Sequence, residues 1–245
     1  MAADKLTITY PYYDNPGMLF RQHESWSRFP EYLRKRVEII LVDDASPLYP
    51  AHKHLPKQRN YELSVYRIMK NVPWNQVAAR NLGVKMARHD WVFMTDIDHV
   101  LTNEGLVELF RWLDGQGLKD DLYYTVGRIN VDASPYKLHP NTYLMHQRLY
   151  WKAGGYDEEF SGKVYASDGM FKKRLKLAAF DSVHLDGVIV VRYGREDIAD
   201  ASTTVFKRKG FAEPDVAARV KERFKEKIRK GQPPLVLSFP WEQRI

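Results

Sequence analysis

The sequence predicts an α/β protein built on a mostly parallel sheet, and three observations predict it. Short, largely apolar runs alternate with segments of helical periodicity along the first half of the chain. Such alternation implies parallel strands joined by right-handed crossovers. The strand-like runs also terminate in polar or aromatic residues, Tyr10, Asp43 and Asp96, which then share the rim at the carboxyl ends of the strands, where open α/β sheets take their ligands. This half therefore reads as a nucleotide-binding layer.

Taken in order, Leu6–Tyr10 is the first strand, and Pro11 to Pro16 is a loop of tyrosines and turn formers. A helix over about Gly17–Phe29 follows. Val37–Val42 is a second strand, which ends in Asp43-Asp44-Ala45-Ser46-Pro47. Leu63–Ile68 is the third strand and Asn75–Ala87 the next helix, with Asn75 as its cap. The run from Trp91 to Met94 then delivers Thr95-Asp96-Ile97-Asp98-His99. Thr102 caps a helix whose core stripe is Leu106, Leu109, Phe110 and Leu113, ending near Gly115-Gln116-Gly117. Beyond it the pattern is mixed: strands at Tyr123–Val131, Tyr143–His146 and Val183–Val191, and helices at Arg148–Ala153 and Ser167–Leu177. Val216, Val220, Phe224 and Ile228 recur every fourth residue, and seven Lys or Arg lie between Arg219 and Lys230. That segment reads as an amphipathic helix with a basic face. The expected organisation is one domain over residues 1–210, with its nucleotide-binding part at about 1–100 and its acceptor-side part at about 101–210, and a helical extension over 211–245 packed on it.

With 245 residues, 44% hydrophobic and 28% charged, the chain is long enough to bury a full core. It has no cysteine, which excludes disulfides, thiolate zinc sites and cysteine nucleophiles and leaves oxygen and imidazole chemistry. No apolar run reaches membrane-spanning length and the start carries no signal-like core, so a cytoplasmic location is expected. The net charge of +7 welcomes polyanions. The basic helix face is either simply solvated or a contact for nucleic acid or a membrane surface.

Asp96 and Asp98 are one residue apart. If the strand continues, both side chains face the same way and form a hard-metal site suited to Mn²⁺ or Mg²⁺, ions that leave positions open for substrate phosphates. The same pair could merely close a strand and solvate a turn. Read together, Asp43-Asp44, the block Asn75 to Gly83, Asp96-Ile97-Asp98, and the stretch from Gly154-Gly155-Tyr156-Asp157 to Asp168 resemble family-2 glycosyltransferases of the GT-A fold, in order and in approximate spacing, over about Leu6 to Val191. The resemblance implies a Rossmann-like nucleotide-binding sheet merged with a smaller acceptor-side region. It implies metal-dependent, inverting transfer of a sugar from a nucleotide-sugar donor, by default a UDP-sugar, to a hydroxyl of a glycan, a lipid-linked sugar or a hydroxylated DNA base.

The resemblance also assigns roles. Asp98 is the preferred metal ligand, and Asp96 touches ribose or the metal. Asp43 or Asp44 accepts hydrogen bonds from the nucleoside, against the alternative of an Asx turn before Pro47. Tyr10 and Tyr12 flank the base, unless they are core residues. Arg80 faces the nucleotide or its diphosphate, while Asn81 braces the loop. His99 points away from Asp98 in an extended strand. A later histidine completing the metal shell is expected at His184, with His146 or His139 behind it. Asp168 is the general base and Asp157 its runner-up. Ser167 stands where the family has a glutamate before that aspartate. Two other readings remain: a non-catalytic glycan or nucleic-acid binding module, encouraged by Ser167, and a nucleotidyltransferase, against which the loop Tyr10 to Pro16 lacks a glycine-rich, lysine-bearing phosphate cradle.

Overall fold

The computed structural model describes residues 5–73, 75–115, 117–162, 167–201 and 214–245. The elements run β1 (Leu6–Tyr12), α1 (Pro16–Ser27), α2 (Glu31–Arg34), β2 (Val37–Asp43), α3 (Ala51–His54), β3 (Glu62–Ile68), α4 (Gln76–Met86), β4 (Trp91–Met94), β5 (His99–Leu101), α5 (Asn103–Asp114), β6 (Leu122–Asn130), β7 (Tyr143–His146), α6 (Gln147–Lys152), α7 (Ser167–Ala178), β8 (Asp181–Arg192), α8 (Pro214–Arg229) and β9 (Trp241–Gln243). Among the described residues nine strands form one sheet in the order β5-β8-β6-β7-β4-β1-β2-β3-β9. The expected parallel layer is the block β4-β1-β2-β3. From β4 outward the pairing changes: β7 is antiparallel to β4 and β6 antiparallel to β7, while β8 runs parallel to β6. The sheet therefore changes character at β4, and the loop leaving β4 carries Asp96 and Asp98.

Strand burial explains why the first half folds as read. All seven residues of β2 are buried, and so are five in succession at the start of β1, so helices must cover both faces. Helix α5 starts at Thr102, whose Oγ1 accepts the Gly105 N–H at 2.8 Å, and its apolar stripe faces the core. Asn75 makes no such bond, so the cap expected at α4 is absent. Helix α1 is capped from elsewhere in the chain: the Asp200 carboxylate accepts the N–H groups of Gly17 at 2.5 Å and Met18 at 3.0 Å.

The C-terminal segment is an integral part of this scaffold. Val220 and Phe224 of α8 pack on Phe160 and Met170. The expected stripe member Val216 and the expected 210/211 boundary fall outside what is described of side chains and residues. Lys221 and Lys225 are exposed as a basic face requires, but Lys227 is buried and reaches Asp157 Oδ2 at 2.5 Å and Glu159 Oε2 at 2.9 Å. Glu158 accepts the Leu237 and Ser238 N–H groups at 2.8 and 2.7 Å. Lys227→Met keeps the aliphatic stem and strands the buried Asp157 carboxylate. It should lower the unfolding free energy in urea by about 3 kcal/mol. A change under about 0.5 kcal/mol, the scale of an ordinary surface substitution, would show that the pair contributes little.

Candidate active site

Beyond β4 the chain does not stay extended. The His99 N–H bonds the Asp96 carbonyl at 3.0 Å, so Asp96 to His99 form a tight turn before β5 begins. This corrects the expected alternation. Instead of facing away, His99 turns its Nδ1 onto Asp98 Oδ1 at 2.7 Å. The two carboxylates still share one cluster, because each lies close enough to bias the ionisation of the other's neighbourhood.

Asp96 is held from two sides. Arg80, buried on α4, bonds its Oδ1, and His139 Nε2 lies 3.3 Å from its Oδ2. Burial opposes ionisation of Asp96, yet the Arg80 charge and the His139 bond outweigh it and hold the carboxyl far below the usual range. Burial pushes the His139 imidazole down, so it acts as a neutral donor. Its Nδ1 lies 2.9 Å from Thr142 Oγ1, and Thr142 Oγ1 lies 2.9 Å from Thr95 Oγ1. With a neutral imidazole whose Nε2 proton faces Asp96, His139 Nδ1 accepts from the Thr142 hydroxyl. Asp98 is likewise held low: burial works against its charge and His99 for it. The His99 and His139 rings lie 4.1 Å apart, and His99 Nε2 is buried without a hydrogen-bond partner.

Asp168, in the first turn of α7, adjoins the same cluster, within electrostatic reach of Arg80, Asp96 and His139. Burial raises its pKa, against the pull of Arg80 and a hydrogen bond from the Asn141 side chain. Asn141 is itself oriented by Tyr156, whose OH donates to its Oδ1 at 3.0 Å. The Tyr156 ring lies 4.2 Å from Phe171 of α7, stacked, and 5.6 Å from the Arg80 guanidinium. Asn81 braces the loop as expected, donating to Tyr156 O at 2.8 Å and Glu158 Oε1 at 2.7 Å and accepting from Tyr150 OH and Tyr156 N. Gly155 makes this possible. At φ +67° it adopts a conformation unfavourable to other residues, and a Cβ there would stand 2.8 Å from Asn81 Oδ1.

Several expected site residues sit elsewhere. Tyr10 is buried against Trp26, with ring centroids 5.3 Å apart, and Tyr12 is buried with its OH donating to the Tyr49 carbonyl at 2.7 Å, so neither ring can flank a base. The Asp43 carboxylate is fully buried and accepts from Ser46 N at 2.7 Å, Ala51 N at 2.9 Å and Arg67 Nη1 at 3.1 Å, so it ties the following loop together. Asp44 is buried beside it at the end of β2. Arg80 is buried and bonds Asp96, while among the described residues its Nε and Nη1 have no hydrogen-bond partner. His184 is exposed on β8, 3.1 Å from Thr125 Oγ1, and is not brought to the cluster; His146 caps α6 through the Arg148 N–H. Asp157 pairs with Lys227. The histidine that reaches Asp96 is His139, on the segment between β6 and β7, with Asn141 beside it.

The family model for glycosyl transferase family 2 matches residues 19–176. No curated protein matches the sequence. Among solved structures, S. aureus TarS 1-349 in complex with UDP-GlcNAc superposes with a TM-score of 0.68 at 16% identity, covering 91% of this chain and 66% of that one. TarS 1-349 alone gives 0.62 at 17% identity over 92% and 73%. The longer S. aureus TarS gives 0.63 at 16% identity over 89% and 43%, so this chain spans under half of that length. At these identities the likeness is one of fold. Among the described residues no helix is long and apolar enough to cross a membrane.

Proposed function

This chain belongs to glycosyl transferase family 2, and from that premise we propose that it is a metal-dependent enzyme that moves a sugar from a UDP-sugar to an acceptor hydroxyl with inversion. The observation that carries the reading is the joining of Asp96 and Asp168 through Arg80: one low-lying carboxylate at the rim and one raised carboxylate beside it. Two carboxylates pushed apart by their surroundings suit one to hold charge and the other to take a proton. The UDP-GlcNAc bound by the TarS fragment supports a UDP donor.

A divalent ion fits the donors present. Asp98 offers carboxylate oxygen, and His99 has a buried ring nitrogen without a partner. Mn²⁺ and Mg²⁺ are commonly held by one or two carboxylates together with substrate phosphates. Asp98 and Asp96 would hold it, and the ion would supply Lewis-acid stabilisation of the departing diphosphate. The remaining roles belong to the chain itself. Asp168 takes the proton of the acceptor hydroxyl as that oxygen attacks the anomeric carbon from the side opposite the diphosphate. Arg80 and His139 keep Asp96 charged and fixed. The acceptor is a glycan or a hydroxylated DNA base.

The test is turnover. Incubation with UDP-GlcNAc or UDP-glucose and Mn²⁺ should release UDP, by transfer or by slow transfer to water, and the release should stop with EDTA. Tight UDP binding without any donor consumption, across donors and hydroxyl acceptors, would favour a non-catalytic module.

A further inference from the structure

Next to the reaction cluster lies a second group of residues, to which neither the metal site nor the proton transfer gives a role. Strands β5, β8 and β6 align His99, Arg192 and Asn130 in one row, so Arg192 and Asn130 follow the Asp98–His99 pair inward from the β5 edge of the sheet. There an open cavity of about 540 Å³ is lined by Asn130, Asp132, Tyr136, Arg192 and Glu196 among others. The Tyr136 ring is exposed, and the guanidinium carbons of Arg128 and Arg192 lie 4.6 and 5.1 Å from its centroid.

Arg128 is the unusual member. It is half-buried, and its Nε is enclosed without a hydrogen-bond partner. Among the described residues its side chain makes one long hydrogen bond, from Nη1 to the Lys137 carbonyl at 3.4 Å, and no carboxylate lies in ion-pair range of it. The local carboxylates are otherwise engaged: Asp132 accepts from Ser134, and Glu196 pairs with Arg192 at 2.9 Å. Burial weakens its hold on its proton, and the Asp98 and Asp96 charges oppose that only from a distance, so the guanidinium lacks a directly bonded anion. Glu196 is well exposed, and an exposed i,i+4 pair is worth well under about 1 kcal/mol, so an incoming anion readily displaces it from Arg192.

Resting on the transferase reading above, we infer that this cavity is the acceptor subsite and that Arg128, with Arg192, binds a phosphate group carried by the acceptor next to its reacting hydroxyl, the rest of the acceptor lying against Tyr136. A guanidinium fork matches phosphate oxygens in pairs, and the partly exposed Tyr136 beside two guanidiniums adds apolar surface for a sugar, polyol or base to rest against. The donor diphosphate is assigned to Asp96 and Asp98, so the two phosphate-binding places stand side by side across the transfer point.

The experiment is isothermal titration of the full chain, first with UDP and Mg²⁺, then, with both saturating, with glycerol 3-phosphate and with 5-hydroxymethyl-2′-deoxycytidine 5′-monophosphate. Glycerol and the matching nucleoside are the controls. At least one phosphorylated probe should bind about tenfold more tightly than its control, one charge-assisted contact's worth. Arg128→Gln should remove that preference and Arg128→Lys should keep most of it. Which probe responds identifies the source of the phosphate. If Arg128→Gln does not fold, Arg192→Gln carries the same comparison. Equal binding of phosphorylated and unphosphorylated probes, or an undiminished preference in the folded Gln variants, overturns the inference alone. Absence of UDP binding in the first titration overturns the transferase reading and this one with it.

Discussion

Replacing Asp98 with alanine is expected to abolish the stimulation of UDP binding by Mn²⁺. Its carboxyl is held below the ordinary range, by His99 against the effect of burial, so it is ionised at neutral pH as a metal ligand must be. Outer-shell partners of bound metals are typically worth ten- to a hundredfold in affinity, so loss of an inner ligand should cost about 10²-fold or more. Asp98→Asn is the sharper variant: it keeps the shape and the oxygen that faces His99 Nδ1 while removing the charge. It should show the same loss with the fold intact by circular dichroism. His184→Ala should bind as the unaltered protein does, since His184 is exposed on β8 beside Thr125. Equal UDP affinity with and without Mn²⁺ in unaltered protein and Asp98→Asn alike would remove Asp98 from the site.

The same residues mark how far the sequence could be read. Apolar runs and helical periodicity located the long elements to within a residue or two, as at Glu62–Ile68 and Asn103–Asp114, because burial of one face is written locally. The three-residue strands β5 and β9 are too short to carry a period. Tyr10 and Tyr12 were misplaced for a related reason. Strand β1 runs through Pro11 to Tyr12, two residues beyond its apolar run, so the rings that looked like rim residues alternate into the core. Asp43 ends β2 in the same way and closes its own loop. That Asp96, Asp98, Asp168 and Arg80 gather in one cluster follows the order of the motifs, whereas the bond from Arg80 to Asp96 has no local signal. The choice among His184, His146 and His139 had no local signal. It depends on the chain between β6 and β7 folding back over the rim, a long-range event that also brings Asn141 to Asp168.

Asp168→Asn is expected to leave UDP and Mn²⁺ binding nearly unchanged while lowering the transfer rate by about 10²-fold or more, the usual scale for a lost general base. Asparagine preserves volume and can still accept from Asn141, but it cannot take a proton. The pH dependence separates this role from a structural one. A base works only when deprotonated, so transfer must fall as pH drops through the Asp168 pKa. Burial raises that pKa above its ordinary value, so the acid limb should lie at higher pH than for a solvated carboxylate. The Arg80 charge limits the rise. In Asp168→Asn the residual rate should lose this limb altogether, whereas a variant that merely loosened α7 would keep it at reduced amplitude. Near-normal turnover in Asp168→Asn, or an acid limb that survives the substitution, would pass the role to another group. Asp157 is a poor successor, since its carboxylate is buried against Lys227 and holds the Leu235 N–H at 3.0 Å. The second aspartate of the motif therefore keeps its place beside Arg80, Asp96 and His139 even though Ser167, and not a glutamate, precedes it. Ser167 is buried, with its Oγ 3.4 Å from Asp168 Oδ1, and its short hydroxyl reaches less far than a glutamate carboxylate would. On the inferred acceptor subsite, the contacts that such a glutamate would make fall instead to Tyr136 and Arg192, which line the open cavity, and to Arg128 beside Tyr136.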